Sequence, residues 1–107
     1  MSDPERFENV SVLCKANVFF DGKVVSHTIF LPDGSRKTLG LIYPGSYVFD
    51  TKAAETMAIS AGACRVKVRG QSAFTVYQAG SAFKVPANSA FEIAVEEGVA
   101  QYICSFE

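Results

Sequence analysis

Short runs of apolar residues, separated by turn-forming residues, recur along the whole chain. The turn residues stand at Asp21–Gly22 and then in the segments PDGS, YPGS, SAGA, RGQS, QAGS, PANS and EEG. The intervening runs are rich in Val, Ile, Phe, Tyr and Thr. Many short strands at regular spacing are typical of a β-sandwich or a β-barrel, so the pattern predicts an all-β fold.

Two stretches of the sequence predict local structure in more detail. Asp21–Gly22 stands between NVFF and KVVS, and it predicts a hairpin with a two-residue turn because both residues tolerate positive φ. The segment TKAAETMA, residues 51–58, favours helix locally but is short and has no apolar stripe. We therefore predict a turn that passes into a strand at Glu55.

The faces of the strands follow from alternation, because successive side chains of a strand point to opposite sides. In CRVKVRG, residues 64–70, one face is apolar and the other is basic, with Arg65, Lys67 and Arg69. The cleanly apolar first face favours a solvated outer face for the basic row over an anion site.

The two faces of strand SRKTLGLIY, residues 35–43, are harder to assign. One face carries Arg36, Thr38, Gly40 and Ile42, and a polar face with a small central residue suits either a ligand-holding lumen or a solvated surface. The opposite face, with Lys37, Leu39, Leu41 and Tyr43, is predicted to face the core.

Size and charge narrow the class of protein. The chain has 107 residues, 49% of them hydrophobic, and a net charge of −1. These values fit one packed domain at residues 9–107 after a flexible segment at residues 1–8, and they give no basic field for nucleic acid or membrane. The polar N-terminus MSDPERFEN has no signal-peptide layout, so we expect a cytoplasmic protein.

The cysteines and the histidine offer little for catalysis or metal binding. Cys14, Cys64 and Cys104 are far apart in the sequence, no C-x-x-C occurs, and His27 is the only histidine. We expect three reduced cysteines packed on strands as small hydrophobes, and a surface position for His27.

Two blocks of the sequence resemble the motifs of the cupins. PGSYVFDTKAAETMAISAG, residues 44–62, resembles the first motif, and GSAFKVPANSAFEIAV, residues 80–95, resembles the second. The resemblance implies a single-domain jelly-roll β-barrel. Metal-binding cupins carry three His and one Glu in these motifs, and the corresponding places here are Tyr47, Phe49, Glu55 and Phe91. One carboxylate falls short of the three or four donors that a transition metal needs, so we expect no metal and no cofactor.

The ordered set of blocks from about Asn9 to Phe106 is similar to the small pyrimidine/purine nucleoside phosphorylases. This resemblance implies phosphorolysis of purine and pyrimidine nucleosides by inorganic phosphate, giving a free base and ribose 1-phosphate. It identifies no catalytic residue, so the assignments below rest on the chemistry.

The reaction requires an anion site, a surface for the base and a polar group near a positively charged ribose. Arg36 is the choice for phosphate, helped by amides of the PDGS turn, with Lys23 as a second cation. Glu55 is the choice for the ribose cation or its hydroxyls, with Arg36 or the Tyr47 hydroxyl as its expected partner. Tyr47, Phe49 and Phe91 are expected to stack on the base. Each residue also has a purely structural alternative: a surface Arg36, a strand-start Lys23, a turn-capping Glu55 and core aromatics.

Two other classes of function remain open at this point. A cupin-type sugar isomerase or epimerase would need His27 as a base inside the barrel. A non-catalytic cupin that binds a small molecule needs only the pocket. Short chains rich in strand edges gain by covering them, so we also expect a homodimer.

Overall fold

The structure, a computed structural model, describes residues 4–107. Within this range the chain forms eleven strands and one short 3₁₀ turn, Phe20–Gly22. The strands are β1 (Ser11–Val12), β2 (Asn17–Phe19), β3 (Val24–Phe30), β4 (Arg36–Ile42), β5 (Gly45–Asp50), β6 (Glu55–Ala61), β7 (Ala63–Val68), β8 (Thr75–Gln78), β9 (Ala82–Val85), β10 (Ala90–Val95) and β11 (Ala100–Phe106). The prediction of an all-β fold is confirmed, and so is the start of a strand at Glu55.

The strands form two sheets that pack face to face. The larger sheet has seven strands in the order β1-β3-β4-β11-β6-β9, with β2 also paired to β3, and the smaller has the order β5-β10-β7-β8. All pairings are antiparallel. The interior is therefore enclosed by two hydrogen-bonded sheets and not by one continuous barrel.

The core fills the space between the sheets and comes from the alternating inward positions of both. The smaller sheet contributes residues such as Val66, Phe91 and Ile93, and the larger contributes Met57 and Ile59, all nearly inaccessible to solvent. Burial of such aliphatic and aromatic side chains stabilises a domain by roughly 1.5–3 kcal/mol each. The side chains leave one part of the interior unfilled, and this part becomes the pocket described below.

The β5–β6 connection crosses from one sheet to the other. Thr51 is buried there, where its hydroxyl donates to the carbonyl oxygen of Pro86 (2.7 Å) and accepts from the amide of Ser89 (3.0 Å). Tyr47 and Phe49 on β5 therefore lie in a different sheet from Glu55 on β6. Alternation assigns a residue to a face of its strand but does not identify the partner strand.

The β2–β3 hairpin is longer than its Asp-Gly signal predicts. The last cross-strand pair joins Phe19 to Val24, which leaves four residues in the loop. Phe20, Asp21 and Gly22 all have positive φ, of 51°, 56° and 88°. The Phe20 ring packs against Tyr47, with 4.9 Å between ring centroids. This contact compensates a conformation that a bulky residue rarely adopts.

One of the two faces of β4 does not lie where the sequence predicted. Arg36, Thr38 and Ile42 face the interior, whereas Leu39 and Tyr43 are exposed, at 37% and 42%. The prediction that the Lys37–Tyr43 face belongs to the core was wrong. That face instead borders a groove of about 500 Å³ on the outside of the larger sheet, whose lining includes Phe7, Leu39 and Leu41.

The basic row of β7 lies outside, as predicted. Cys64 and Val66 are buried, while Arg65 forms an ion pair with the exposed Glu96 at 3.1 Å. The Lys67 ammonium lies 5.2 Å from the centre of the Phe74 ring.

The expectation for the cysteines is confirmed for two of the three. All three are free, and Cys64 and Cys104 are buried on strands, whereas Cys14 is exposed in the bend between β1 and β2. None of the helical structure within residues 4–107 has the length and apolarity of a membrane span. The expected flexible segment at residues 1–8 includes residues 1–3, which lie outside the described part, and its boundary stays a prediction.

Candidate active site

A pocket of about 300 Å³ opens into the space between the two sheets. The smaller sheet supplies a mainly apolar wall of Phe49, Asp50, Phe91 and Ile93. The larger sheet, with β2, supplies a mixed wall of Asn17, Phe19, Ser26, Thr28, Arg36, Thr38, Ile42, Glu55, Met57, Tyr102, Cys104 and Phe106. We call this space the interior pocket. Its two walls differ in polarity, which suits a ligand with one flat apolar part and one polar part.

Four of the six residues chosen from the sequence line the interior pocket: Arg36, Phe49, Glu55 and Phe91. The other two are placed elsewhere. Lys23 is exposed and lies outside the pocket lining. Tyr47 is 4% exposed and lies in the core behind the lining.

The Tyr47 hydroxyl is engaged by the backbone. It lies 2.8 Å from the carbonyl oxygen of Tyr43 and 2.9 Å from that of Pro44, so its proton is shared between them. It therefore does not serve as the expected partner of Glu55. The ring instead supports the Phe20 ring from inside the core.

The guanidinium of Arg36 lies over an aromatic ring. Its guanidinium carbon is 4.1 Å from the centre of the Phe106 ring, a cation–π distance that orients the side chain. The two ion pairs within residues 4–107 join Arg6 to Glu8 and Arg65 to Glu96, so neither compensates the charge of Arg36. An arginine without a carboxylate partner at a pocket wall is suited to bind an anion.

The PDGS turn that precedes Arg36 does not offer the amides that we expected. The amide of Gly34 donates to the Leu31 carbonyl at 2.9 Å, and the amide of Ser35 donates to Asp33 Oδ1 at 2.9 Å. Hydrogen bonds from the Ser35 hydroxyl and amide also lower the pKa of Asp33. These amides stabilise the turn itself and are not free for a ligand.

Glu55 is partly buried and has a thiol as its neighbour. Burial raises the pKa of its carboxyl, and a hydrogen bond with Cys104 acts in the opposite direction. Phe106 is the cross-strand partner of Glu55, and its ring also contacts the Arg36 guanidinium. The expected Arg36–Glu55 ion pair is absent from the described residues.

Two further ionisable groups of the pocket stay protonated at neutral pH. Burial, and then the nearby Glu55 charge, raise the pKa of Cys104 to about 12, although a hydrogen bond with Thr38 lowers it. Burial raises the pKa of Tyr102 to about 12, with Ser26 as its hydrogen-bond partner. A thiol that stays protonated is a poor nucleophile, so the pocket offers hydrogen bonds and not a thiolate.

Tyr102 explains the glycine at the centre of the polar face of β4. Gly40 is its cross-strand neighbour, and a Cβ atom on Gly40 would overlap the phenol ring. The small residue therefore makes room for a protein side chain. From the sequence, this face suited either a ligand-holding lumen or a solvated surface.

Sequence reasoning missed the polar residues around Asn17. The Asn17 amide donates to Ser26 Oγ at 3.2 Å and to Thr28 Oγ1 at 3.1 Å, and both hydroxyl residues are buried. Alternation along β3 could have placed Ser26 and Thr28 on the face shared with Val24. Nothing in the sequence marks Asn17, because its strand has three residues and precedes both motif blocks.

The positions where metal-binding cupins carry ligands hold no cluster of donors. Within residues 4–107, no three His, Cys, Asp or Glu side chains come together in a way that could hold a metal ion. His27 is exposed on β3 and does not line the interior pocket, as expected for a surface histidine.

Comparison with known proteins agrees with this architecture. The chain shares its fold with oxalate decarboxylase from Bacillus subtilis, with a TM-score of 0.74 at 16% identity, over 99% of this chain and 31% of that one. This likeness concerns the fold alone and supports the cupin-like assignment. The crystal structure of an Acinetobacter protein described as of unknown function has a TM-score of 0.93 and 41% identity, covering 95% of this chain and 98% of that chain.

Sequence similarity shows the family to which the chain belongs. A pyrimidine/purine nucleoside phosphorylase from Cupriavidus taiwanensis is 55% identical over 102 residues, which are 95% of this chain and 96% of that protein. The family model described as pyrimidine/purine nucleoside phosphorylase matches residues 14–106. The chain therefore belongs to the pyrimidine/purine nucleoside phosphorylase family.

Proposed function

We propose that the protein catalyses the phosphorolysis of both purine and pyrimidine nucleosides, giving a free base and ribose 1-phosphate, without a metal ion. The observation that carries the proposal is the two-sided interior pocket, with an unpaired guanidinium on one wall and aromatic rings on the other. Family membership supports the reaction, and the pocket supports the assignment of its parts.

Arg36 binds the phosphate in this proposal. The guanidinium is held on the Phe106 ring, and the Thr38 hydroxyl lies two residues along the same inward face of β4. A preorganised arginine binds phosphate oxygens in pairs and stabilises charge without reorganising during the reaction. Lys23 lies outside the pocket lining, so the proposal rests on Arg36 alone.

The base lies against the aromatic wall. The rings of Phe49 and Phe91 are stacked, with 5.6 Å between centroids and 21° between planes. Aromatic rings attract any nucleobase through its flat face and do not read its edge, which accounts for tolerance of purines and pyrimidines. Tyr47 supports this wall from behind through Phe20.

Glu55 contacts the ribose in this proposal. A phosphate oxygen forms a bond to the ribose C1′ while the bond from C1′ to the base nitrogen breaks, and the electron pair leaves with the base, which takes up the proton that the hydrogen phosphate loses. The ribose gains positive charge as this happens. A carboxyl group beside it stabilises that charge when ionised and accepts a hydroxyl hydrogen bond.

The donor set supports a mechanism without a metal. Phe49 and Phe91 occupy places where the cupin resemblance expects histidine, and Cys104, the neighbour of Glu55, is held as a neutral thiol. The reaction requires positioning and electrostatic stabilisation, and Arg36 and Glu55 can supply both.

The test is direct. Purified protein is incubated with uridine or adenosine in phosphate buffer, and the products are separated by chromatography. Both nucleosides should give free base and ribose 1-phosphate, and no base should be released when phosphate is replaced by sulfate. Base release that is independent of phosphate would indicate hydrolysis and would overturn the proposal.

We also propose that the protein acts as a cytoplasmic homodimer. The outer face of the larger sheet and its edge expose Val12, Leu13 and Leu39, which a second copy would cover. Light scattering coupled to gel filtration should give twice the chain mass of 11.5 kDa, and a monomer mass at micromolar concentration would contradict the dimer.

A further inference from the structure

Strand β2 contributes more to the interior pocket than its length suggests. It has three residues and pairs with β3 at the edge of the larger sheet. Asn17 and Phe19 both line the pocket, whereas Val18, between them, is 61% exposed on the other face.

Phe19 is a large apolar side chain left open at the pocket wall. It is 42% exposed, and its ring meets Phe49 edge-on, with 5.7 Å between centroids and 81° between planes. A T-shaped contact covers at most one face of the Phe19 ring, which leaves a face for another flat group.

The loop that follows holds Phe19 in place at a conformational cost. Phe20 has a φ of 51°, in the left-handed region that is unfavourable for a bulky residue. Its ring lies 4.9 Å from that of Tyr47 and 5.3 Å from that of Phe49. Strained backbone that is held by packing beside a pocket is a feature of ligand-binding segments.

Asn17 presents an acceptor to the pocket. Its amide nitrogen donates to Ser26 Oγ and Thr28 Oγ1, at 3.2 and 3.1 Å, which uses both of its hydrogens. The remaining oxygen, Oδ1, can only accept a hydrogen bond. A ribose hydroxyl can donate to it, whereas the unprotonated oxygens of phosphate, which carry its charge, cannot.

The register of the strands gives the order of these groups along the pocket. Arg36 pairs with Phe30, Asn17 with Ser26, and Phe19 with Val24. At a rise of about 3.3 Å per residue, Asn17 is roughly 13 Å from the level of Arg36 and Phe19 roughly 7 Å farther on. Along the strand direction the pocket therefore presents a cation, an acceptor and a ring, in the order phosphate, ribose, base.

We propose that β2 is the nucleoside-recognition strand, in which the Phe19 ring stacks on the base and Asn17 Oδ1 accepts a hydrogen bond from a ribose hydroxyl. This inference rests on the proposed function and assigns the residues that determine how the nucleoside is bound. It adds Phe19 to the wall formed by Phe49 and Phe91, and it separates recognition of the nucleoside from that of phosphate.

Phe19 is tested by steady-state kinetics of Phe19→Leu and Phe19→Tyr, with Val18→Ala as the matched control on the outer face of the same strand. Loss of one stacking contact should raise KM for both uridine and adenosine roughly tenfold in Phe19→Leu. KM for phosphate should be unchanged. Phe19→Tyr, which keeps an aromatic ring, should raise KM for the nucleosides less than Phe19→Leu does, and Val18→Ala should retain the wild-type values. A KM for both nucleosides within twofold of wild type in Phe19→Leu would overturn the stacking role.

Asn17 is tested by comparing uridine with 2′,3′-dideoxyuridine. The preference of the wild type for uridine, measured as a ratio of kcat/KM values, should fall roughly tenfold in Asn17→Ala, because one hydrogen bond to the ribose is lost. Asn17→Asp retains an acceptor and should keep the preference. An unchanged ratio in Asn17→Ala would overturn the ribose contact, whereas a purely structural role would lower thermal stability without changing the ratio.

Calorimetry of uridine and adenosine binding without phosphate separates this inference from the proposed function. If the wild type binds both nucleosides, Phe19→Leu binds them weakly and no phosphorolysis is seen, then the proposed function fails and the recognition strand stands. If phosphorolysis is seen and Phe19→Leu binds both nucleosides as the wild type does, the inference fails alone. Absence of nucleoside binding to the wild type would overturn both.

Discussion

At the scale of single residues, Arg36 differs from the other arginines of the chain in its surroundings. Arg65 is paired with Glu96 on the outer face of the smaller sheet, whereas Arg36 lies on the Phe106 ring at the wall of the interior pocket. A ring positions a cation without neutralising it, so the full charge remains for a ligand.

Replacing Arg36 with Ala should lower kcat/KM for phosphate by one to several powers of ten, as is typical for the loss of a charge-assisted contact to a reacting group. Initial rates as a function of phosphate concentration give this value. Arg65→Ala is the matched control and should retain nearly full activity. A larger loss in Arg65→Ala than in Arg36→Ala would show that phosphate is bound on the outer face.

Glu55 makes stability depend on pH in a defined direction. Burial raises its pKa in the folded state, so the folded protein binds the proton more tightly than the unfolded chain does. Glu55 therefore lowers stability as pH rises from the unfolded pKa through the raised folded pKa, and the penalty is absent below the unfolded pKa. The pocket thus loses some stability at neutral pH to keep a carboxylate where the ribose is proposed to bind.

Replacing Glu55 with Gln should remove this penalty. The melting temperature of Glu55→Gln minus that of the wild type should become more positive as the pH is raised from 4 to 8, while activity falls. Thermal unfolding at a series of pH values measures the difference, and a matched Glu92→Gln variant on the smaller sheet controls for loss of an ordinary carboxylate. A difference that does not vary with pH would contradict the raised pKa.

At the scale of the elements, alternation predicted faces well and partners poorly. It identified the buried and exposed faces of β7 and the strand that begins at Glu55, because a period of two follows from backbone geometry alone. It could not tell which sheet a strand joins, since pairing depends on contacts between residues distant in sequence. The burial of one face of β4 was predicted wrongly because both faces carry apolar residues. One face lines the interior pocket and the other lines the outer groove.

The same limit of alternation explains which residues of the interior pocket were predicted from the sequence. Arg36, Phe49, Glu55 and Phe91 were found because they lie beside turns or in the two motif blocks. Asn17 and Phe19 were not found, because a strand of three residues gives almost no periodic signal. Their place in the pocket depends on the β2–β3 register and on the left-handed Phe20, neither of which the Asp-Gly signal indicates.

Gly40 and Tyr102 link β4 to β11 through a single close fit. Gly40→Ala should destabilise the protein by about 1–3 kcal/mol, the usual cost of an overpacked core, because the added Cβ overlaps the Tyr102 ring. Denaturant unfolding measures the change. The double variant Gly40→Ala with Tyr102→Leu should show much less additional loss than the sum of the single variants. Additive losses would indicate that the ring is not what Gly40 accommodates.

At the scale of the whole molecule, both sheets contribute side chains to the interior pocket. The larger sheet contributes Arg36, Glu55 and the Phe19 ring, and the smaller sheet contributes the rings of Phe49 and Phe91. In the proposed binding mode a nucleoside contacts both sheets at once, so the separation of the sheets sets the thickness of the ligand that fits.

Activity should not depend on a metal ion. Extended dialysis against a chelator should leave the rates with uridine and adenosine within twofold of the untreated protein, because Arg36 and Glu55 supply the proposed electrostatic stabilisation. Elemental analysis should find no transition metal in stoichiometric amount. Loss of activity that is restored by one divalent ion alone would contradict the mechanism without a metal.

Strand β11 has a consequence for how the protein is made. Residues 100–106 pair with β4 on one side and β6 on the other, at the centre of the larger sheet. These residues are synthesised after β4 and β6, so the facing edges of β4 and β6 stay unpaired until β11 is inserted between them. Because β11 also carries Tyr102, Cys104 and Phe106, a nascent chain without this strand has neither a complete larger sheet nor a complete interior pocket.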